Sequence, residues 1–223
     1  MTRARRVRSR SLLADRRTLG LGLVAVAATA GAVAVEVGRV WRRGSAPMLT
    51  EADDPLGAAA EAVAETAEVA RTGYREASTE ENSMFNLLTA FVTTFVVTRS
   101  ITTLLRRRRT FGPFRNLEVG RRHIHHFVPG IAIAFVSGAA AIVTRDENLE
   151  RWLAIPFGAG MGLTLDESAL LLELDDVYWS EEGVVSVQIT MAVTALLAAV
   201  ALASRFLRRG EEVVLDAKDG DRP

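Results

Sequence analysis

Apolar residues in this chain gather into five long runs, at 19–40, 84–105, 123–144, 152–174 and 184–207, with charged segments between them. Each run is close to the roughly 20 residues that cross about 30 Å of hydrocarbon at about 1.5 Å per residue. Soluble core helices are seldom so long and so free of charge. The pattern therefore predicts an all-α, polytopic membrane helix bundle with about five transmembrane helices. A basic segment, 1–18, precedes the first run, and the four later runs make a four-helix membrane domain over 84–207. Between them, 41–83 is rich in Ala and Glu and predicts an extra-membrane helix; 208–223 is a polar tail, expected to be disordered from Glu211 to Pro223.

Within the extra-membrane segment, Leu56, Ala60, Val63, Ala67, Ala70 and Tyr74 recur at the 3–4 spacing of a weak coiled-coil seam. It reads either as a solvated linker or as an arm through which two copies associate. Gly158 and Gly162 form a GxxxG pair, the usual mark of close helix approach, and offer a second surface for a homo-oligomer. Pro129-Gly130 is positioned to kink the third span. The first run follows Arg16-Arg17 and contains Ala32-Val33-Ala34, which resembles a signal-peptide cleavage site, but its length favours an uncleaved anchor.

Composition adds little until it is divided by position. The chain has 223 residues, 27 basic and 27 acidic side chains and no Cys. Seven Arg fall in 1–17 and seven in 106–122, whereas 51–81 holds nine acids and 173–182 holds five. Such blocks exclude a nucleic-acid binder with one continuous basic face. The missing Cys excludes disulfides, thiolate metal sites and a Cys nucleophile. Basic blocks mark the cytoplasmic side, so the N-terminus is expected in the cytoplasm and 51–81 outside the cell membrane. Strict alternation then puts the C-terminal tail outside, although Arg205, Arg208 and Arg209 begin it. A fourth segment broken at Pro156 and its glycines, and therefore re-entrant, is the alternative.

The three His of the chain, His123, His125 and His126, cluster where the third run begins. On a helix His123 and His126 share a face; on an extended segment His123 and His125 do. Neutral imidazole ligates zinc and similar divalent ions, but three or four donors are needed. Carboxylates of the fourth run supply them: Asp166, Glu167, Glu173 and Asp176. Acids inside a membrane segment cost about 2.5–3.5 kcal/mol each on insertion scales and mark functional sites by default. Counting rise along helices matches Glu173 and Asp176 in depth to His123 and His126, with Asp166 about 10 Å deeper than Glu173. The metal set is then His123, His125, His126, Glu173 and Asp176. Asp166 and Glu167 are left as catalytic acid–base groups, and Arg121 and Arg122 as cations for an anionic lipid headgroup.

The stretches HIHHFVPGI, LTLDESALLLELDDVYW and SEEGVVSV resemble a family of functionally uncharacterised actinobacterial integral membrane proteins. That resemblance covers about 123–187 and implies a multi-span membrane protein carrying these motifs together. It implies no activity, substrate or cofactor. The residues themselves point to a His/carboxylate cluster that binds a divalent metal such as zinc, suited to hydrolysis of a membrane-embedded substrate. A non-catalytic scaffold and a proton-coupled transport component are the alternatives. A purely structural role for the same residues is an interfacial cluster in which Arg99 or Arg106 to Arg109 pair with the acids.

Overall fold

The computed structural model describes residues 3–48, 52–107, 118–119, 122–123, 126–166 and 181–220. Six helices form among them: α1 (Arg3–Arg43), α2 (Pro55–Arg75), α3 (Thr79–Arg107), α4 (Phe127–Val143), α5 (Glu147–Asp166) and α6 (Glu181–Gly220). The only other regular structure among the described residues is an antiparallel two-residue ladder, β1 (Glu118–Val119) with β2 (Arg122–His123), in which Glu118 faces His123 and Val119 faces Arg122.

Local chemistry sets several boundaries. Asp54 caps α2 by accepting from the Leu56 N–H at 3.1 Å, and Pro55 occupies the first turn, where its missing N–H costs nothing. Ser78 accepts from the Glu81 N–H at 3.3 Å at the start of α3. Asp146 does the same for α5, accepting from Asn148 at 2.8 Å and Leu149 at 3.3 Å. Pro129 sits in the first turn of α4 and so does not kink it, because the helix starts at Phe127 and not at His123.

Among the described residues, three stretches are long and apolar enough to cross a membrane: Leu23–Arg43 in α1, Thr79–Ile101 in α3 and Gln188–Leu215 in α6. Helix α4 is apolar but shorter, at 17 residues. Helix α5 is 20 residues long and carries Glu147, Glu150 and Arg151 in its first turns.

Helix α5 sits between α3 and α4, and glycines fix both contacts. A Cβ on Gly158 would lie 2.2 Å from the Leu87 carbonyl oxygen, and one on Gly162 would lie 2.8 Å from that of Phe91, so α3 and α5 run parallel at backbone contact. Gly160 faces the other way, where a Cβ would lie 2.6 Å from the Gly130 carbonyl oxygen of α4. The GxxxG face is thus filled by α3 of the same chain. Helix α5 is continuous through Pro156. Near one end Thr79 of α3 donates to Glu147 at 3.1 Å, and at the other Arg99 of α3 meets Asp166. Those two α3 positions are about 30 Å apart at about 1.5 Å per residue, so α5 follows α3 for most of that length and does not turn back. Residues 167–174, which the apolar run included, lie outside the described residues.

Helix α6 returns antiparallel to α3. Gln188 meets Arg99, Phe85 and Phe206 pack edge-on with centroids 5.3 Å apart, and Glu81 pairs with Arg205 at 2.6 Å and Arg209 at 2.9 Å. Beyond that point α6 continues to Gly220, where the polar composition predicts disorder. Specific contacts hold it. Glu211 is buried between Arg39 at 2.7 Å and Arg43 at 3.0 Å, and Leu215 packs on Val40 and Val69. Glu36 and Arg39 also form the local pair that their spacing suggests, at 2.6 Å.

Helix α2 packs on α1 and α6 with the face Ala58, Ala62, Glu65, Val69 and Gly73. The seam residues lie mostly off this face: Leu56 is 83% exposed and Val63 58%, whereas Tyr74 packs edge-on against Phe206 of α6. A Cβ on Gly73 would fall 1.6 Å from the Phe206 carbonyl oxygen and one on Gly210 would fall 1.9 Å from that of Val69, so the smallest residues mark where these backbones meet.

Candidate functional site

The end of the bundle away from α2 gathers four polar side chains from four helices. Asp166 is the last residue of α5, and its side chain is 1% exposed. Its Oδ1 lies 3.3 Å from Arg99 Nε of α3, and its Oδ2 lies 3.2 Å from His126 Nε2 at the start of α4. Arg99 also donates through Nη2 to Gln188 Oε1 of α6 at 2.5 Å. Gln188 turns its amide N–H to the end of α5, donating to the Leu165 carbonyl at 2.7 Å and more weakly to that of Asp166 at 3.4 Å.

Each member has a physical reason to be there. The C-terminal end of α5 presents carbonyls that need donors, and its dipole disfavours an anion; the Gln188 amide and the Arg99 guanidinium answer both. His126 holds the N-cap position of α4 without a side-chain capping bond, which leaves its ring for Asp166. The N-terminal end of α4 in turn favours the negative charge of Asp166. Arg99 lies over the Phe95 ring, 5.7 Å from its centroid, which shields one face of the guanidinium.

Among the residues singled out from the sequence, the structure brings together His126 and Asp166. The depth match of the His cluster with Glu173 and Asp176 rested on a third helix starting at His123. The observed helix starts at Phe127, and Gly130 of α4 packs on Gly160 of α5. Four residues back from Gly130 is His126 and six on from Gly160 is Asp166, about 6 and 9 Å along the two helices, so these two share a level. His123 and Arg122 belong to the β2 ladder, so the helical face joining His123 to His126 does not form. Glu167, Glu173, Asp176, His125 and Arg121 lie outside the described residues. Among the described residues no three His, Asp or Glu side chains are grouped closely enough to hold a metal ion.

Arg99 is the partner that the purely structural role of the acids names, and it is the one observed. Gln188 was not anticipated. Its signal was a lone amide in VVSVQITMAV, a stretch whose other polar residues are one Ser and one Thr.

Fold and site together define, among the described residues, a helical bundle with three helices apolar enough to span a membrane and a buried ionic cluster where four helices meet. No family model, curated protein or solved structure matches the chain.

Proposed function

We propose that this chain is a five-span protein of the cell membrane, N-terminus in the cytoplasm, whose His126 and Asp166 belong to a divalent-cation centre near the cytoplasmic face. Support for five spans comes from α4 and α5, which pack antiparallel and carry the chain along the same bundle as the three longer helices. The arginines that offend the charge rule at the end of α6 are compensated there: Arg205 and Arg209 pair with Glu81, so they are less free to dictate orientation.

The observation that carries the metal reading is the approach of His126 Nε2 to Asp166 Oδ2 at 3.2 Å from two different helices. Two ligands bound at about 2.1 Å to one tetrahedral zinc ion sit about 3.4 Å apart, so these atoms can share an ion with little movement. Arg99 on the other oxygen would keep Asp166 monodentate, the role outer partners often take at metal sites. His123, His125 and Glu167 are the nearest further donors in sequence. A cation held there would supply a bound water of lowered pKa, the chemistry that hydrolysis of a membrane-embedded substrate requires, and Arg121 and Arg122 would be available to an anionic headgroup.

A second reading has its own observation in the Arg99–Asp166 pair and the Gln188 bond, which together form a clamp across four helices needing no ligand. Metal analysis of the purified protein separates the two. About one zinc or similar ion per chain is expected in the wild type, with affinity at least ten-fold weaker in His126→Ala. No stoichiometric metal in the wild type, or equal affinity in both proteins, leaves the clamp.

A further inference from the structure

The three membrane-length stretches begin or end at one level. Gln188 of α6 bonds to Arg99 of α3 and to the end of α5, so the start of the α6 stretch and the end of the α3 stretch, at Ile101, lie together. Helix α1 runs in the same direction as α6: Val33 and Val200 line one groove, and further along both helices Arg39 meets Glu211. Counting back along the two helices, the level of Gln188 falls at about residues 16–21 of α1, close to Leu23, where its own stretch begins. Helices α1, α3 and α6 therefore agree on one hydrocarbon boundary, at the end of the bundle that holds Asp166.

Charge is spread unevenly beyond that boundary. The stretch that joins α3 to α4, taken as 106–122, carries seven Arg and one Glu, and the one that joins α5 to α6, taken as 166–182, carries seven acids and no base. Both leave the bundle at this end and offset each other in number. The first seventeen residues, with seven Arg and Asp15 as their one acid, are left as net positive charge.

Helix α1 is continuous from Arg3 to Arg43, so its arginines stand at set heights. Arg17 and Arg16 are about 9 and 10 Å past Leu23, Arg10 about 20 Å and Arg3 about 30 Å. A headgroup layer reaches about 5–7 Å past the hydrocarbon, and its charge is felt over a further Debye length of about 8 Å. Arg16 and Arg17 fall inside that zone, and the five arginines from Arg3 to Arg10 fall outside it.

We propose that Arg16 and Arg17 bind the phosphates of anionic phospholipids in the leaflet from which α1 emerges. Charge selects an anion, and height selects the membrane as its source. A soluble polyanion would meet the five outer arginines first, whereas lipid phosphates lie at the level of the inner two. A guanidinium offers two parallel N–H donors to a phosphate, which adds geometry to the charge. Each arginine near an anionic surface strengthens the attraction about five-fold. The site needs α1 to cross a bilayer and does not depend on the metal reading.

The test uses full-length protein in an uncharged maltoside detergent at about 0.15 M salt and reads retention of radiolabelled phosphatidylglycerol against phosphatidylcholine. Saturable retention of phosphatidylglycerol, and little of phosphatidylcholine, is expected for the wild type. Arg16→Gln/Arg17→Gln should weaken that retention about ten-fold or more, and Arg17→Gln alone about five-fold; the single variant carries the test if the pair does not fold. Arg3→Gln/Arg5→Gln, and Arg106→Gln/Arg107→Gln at the end of α3, should stay within about two-fold of the wild type. No preference of the wild type for phosphatidylglycerol, retention unchanged in the Arg16 and Arg17 variants, or an equal loss in either control pair would overturn the proposal. An equal loss in the outer pair, together with displacement of the lipid by a short RNA, would make the partner a soluble polyanion instead.

Discussion

Gly158→Ala is expected to destabilise the protein sharply, although it adds one methyl group to a helix. A Cβ at this position lies 2.2 Å from the Leu87 carbonyl oxygen, 3.0 Å from its carbonyl carbon and 3.1 Å from its Cα. All three atoms are backbone, so no side chain can rotate away, and α3 and α5 must separate. Overpacking of this kind costs about 1–3 kcal/mol and more where backbone has to move, so about 3 kcal/mol is expected. For a chain of this size that is a fall in Tm of roughly 6–12 °C. Separation of α3 from α5 also draws Arg99 from Asp166, so the site should loosen with the fold. Gly31→Ala is the matched control, because a Cβ there meets nothing within 4 Å. It should be neutral or slightly stabilising, since Ala is favoured over Gly in helices by about 1 kcal/mol. Thermal unfolding of the two variants in detergent makes the comparison, and equal behaviour would mean that α3 and α5 do not approach to backbone contact.

Asp166→Ala should have the second large effect. The carboxylate is almost wholly buried and meets both Arg99 and His126, so its removal takes the counter-charge from a guanidinium held inside the bundle. Breaking a buried pair by deleting one partner costs about 3–5 kcal/mol; the Arg99 side chain is 31% exposed and can recover some hydration, so the lower end applies. Asp166→Asn keeps the shape and an acceptor and should lose less. The double variant Arg99→Ala/Asp166→Ala should be more stable than the sum of the single losses, because it leaves no charge behind. Additive losses in that cycle would show that the two side chains do not act as a pair.

Much of the fold was legible because long apolar runs with few charges mark helices: the five runs fall on α1, α3, α4, α5 and α6, three of which carry stretches long and apolar enough to cross a membrane. Where the helices stop was less legible. Glu211 and Leu215 lie in a stretch that reads as a polar tail, yet burial of that one carboxylate between Arg39 and Arg43 extends α6 beyond its apolar run. The face that α2 packs on α1 and α6 was not legible for a related reason. Periodicity weighs hydrophobicity and picks out Leu56 and Val63, whereas the packed face is chosen by smallness at Ala58, Ala62 and Gly73.

The candidate site was half legible. A His cluster and an acid at the end of an apolar run draw notice by residue type alone, and His126 with Asp166 is the pair that forms. Their pairing in depth was not legible, because it depends on α4 beginning at Phe127 and on Gly130 meeting Gly160, a register no single-helix pattern contains. Gln188 and Arg99 complete the cluster from helices remote in sequence, and a lone polar side chain in an apolar run does not reveal its partner.

Everything proposed for the site depends on α5 crossing the membrane once, so that α2 and the end of α6 share one side and Asp166 lies toward the other. Single cysteines at Glu61 and Glu212, both exposed, test this directly in a chain that has no Cys of its own. An impermeant thiol reagent added outside intact cells should label both positions. Labelling at Glu61 with protection at Glu212 would contradict it, placing the C-terminal end of α6 in the cytoplasm and the buried carboxylate in a different bundle.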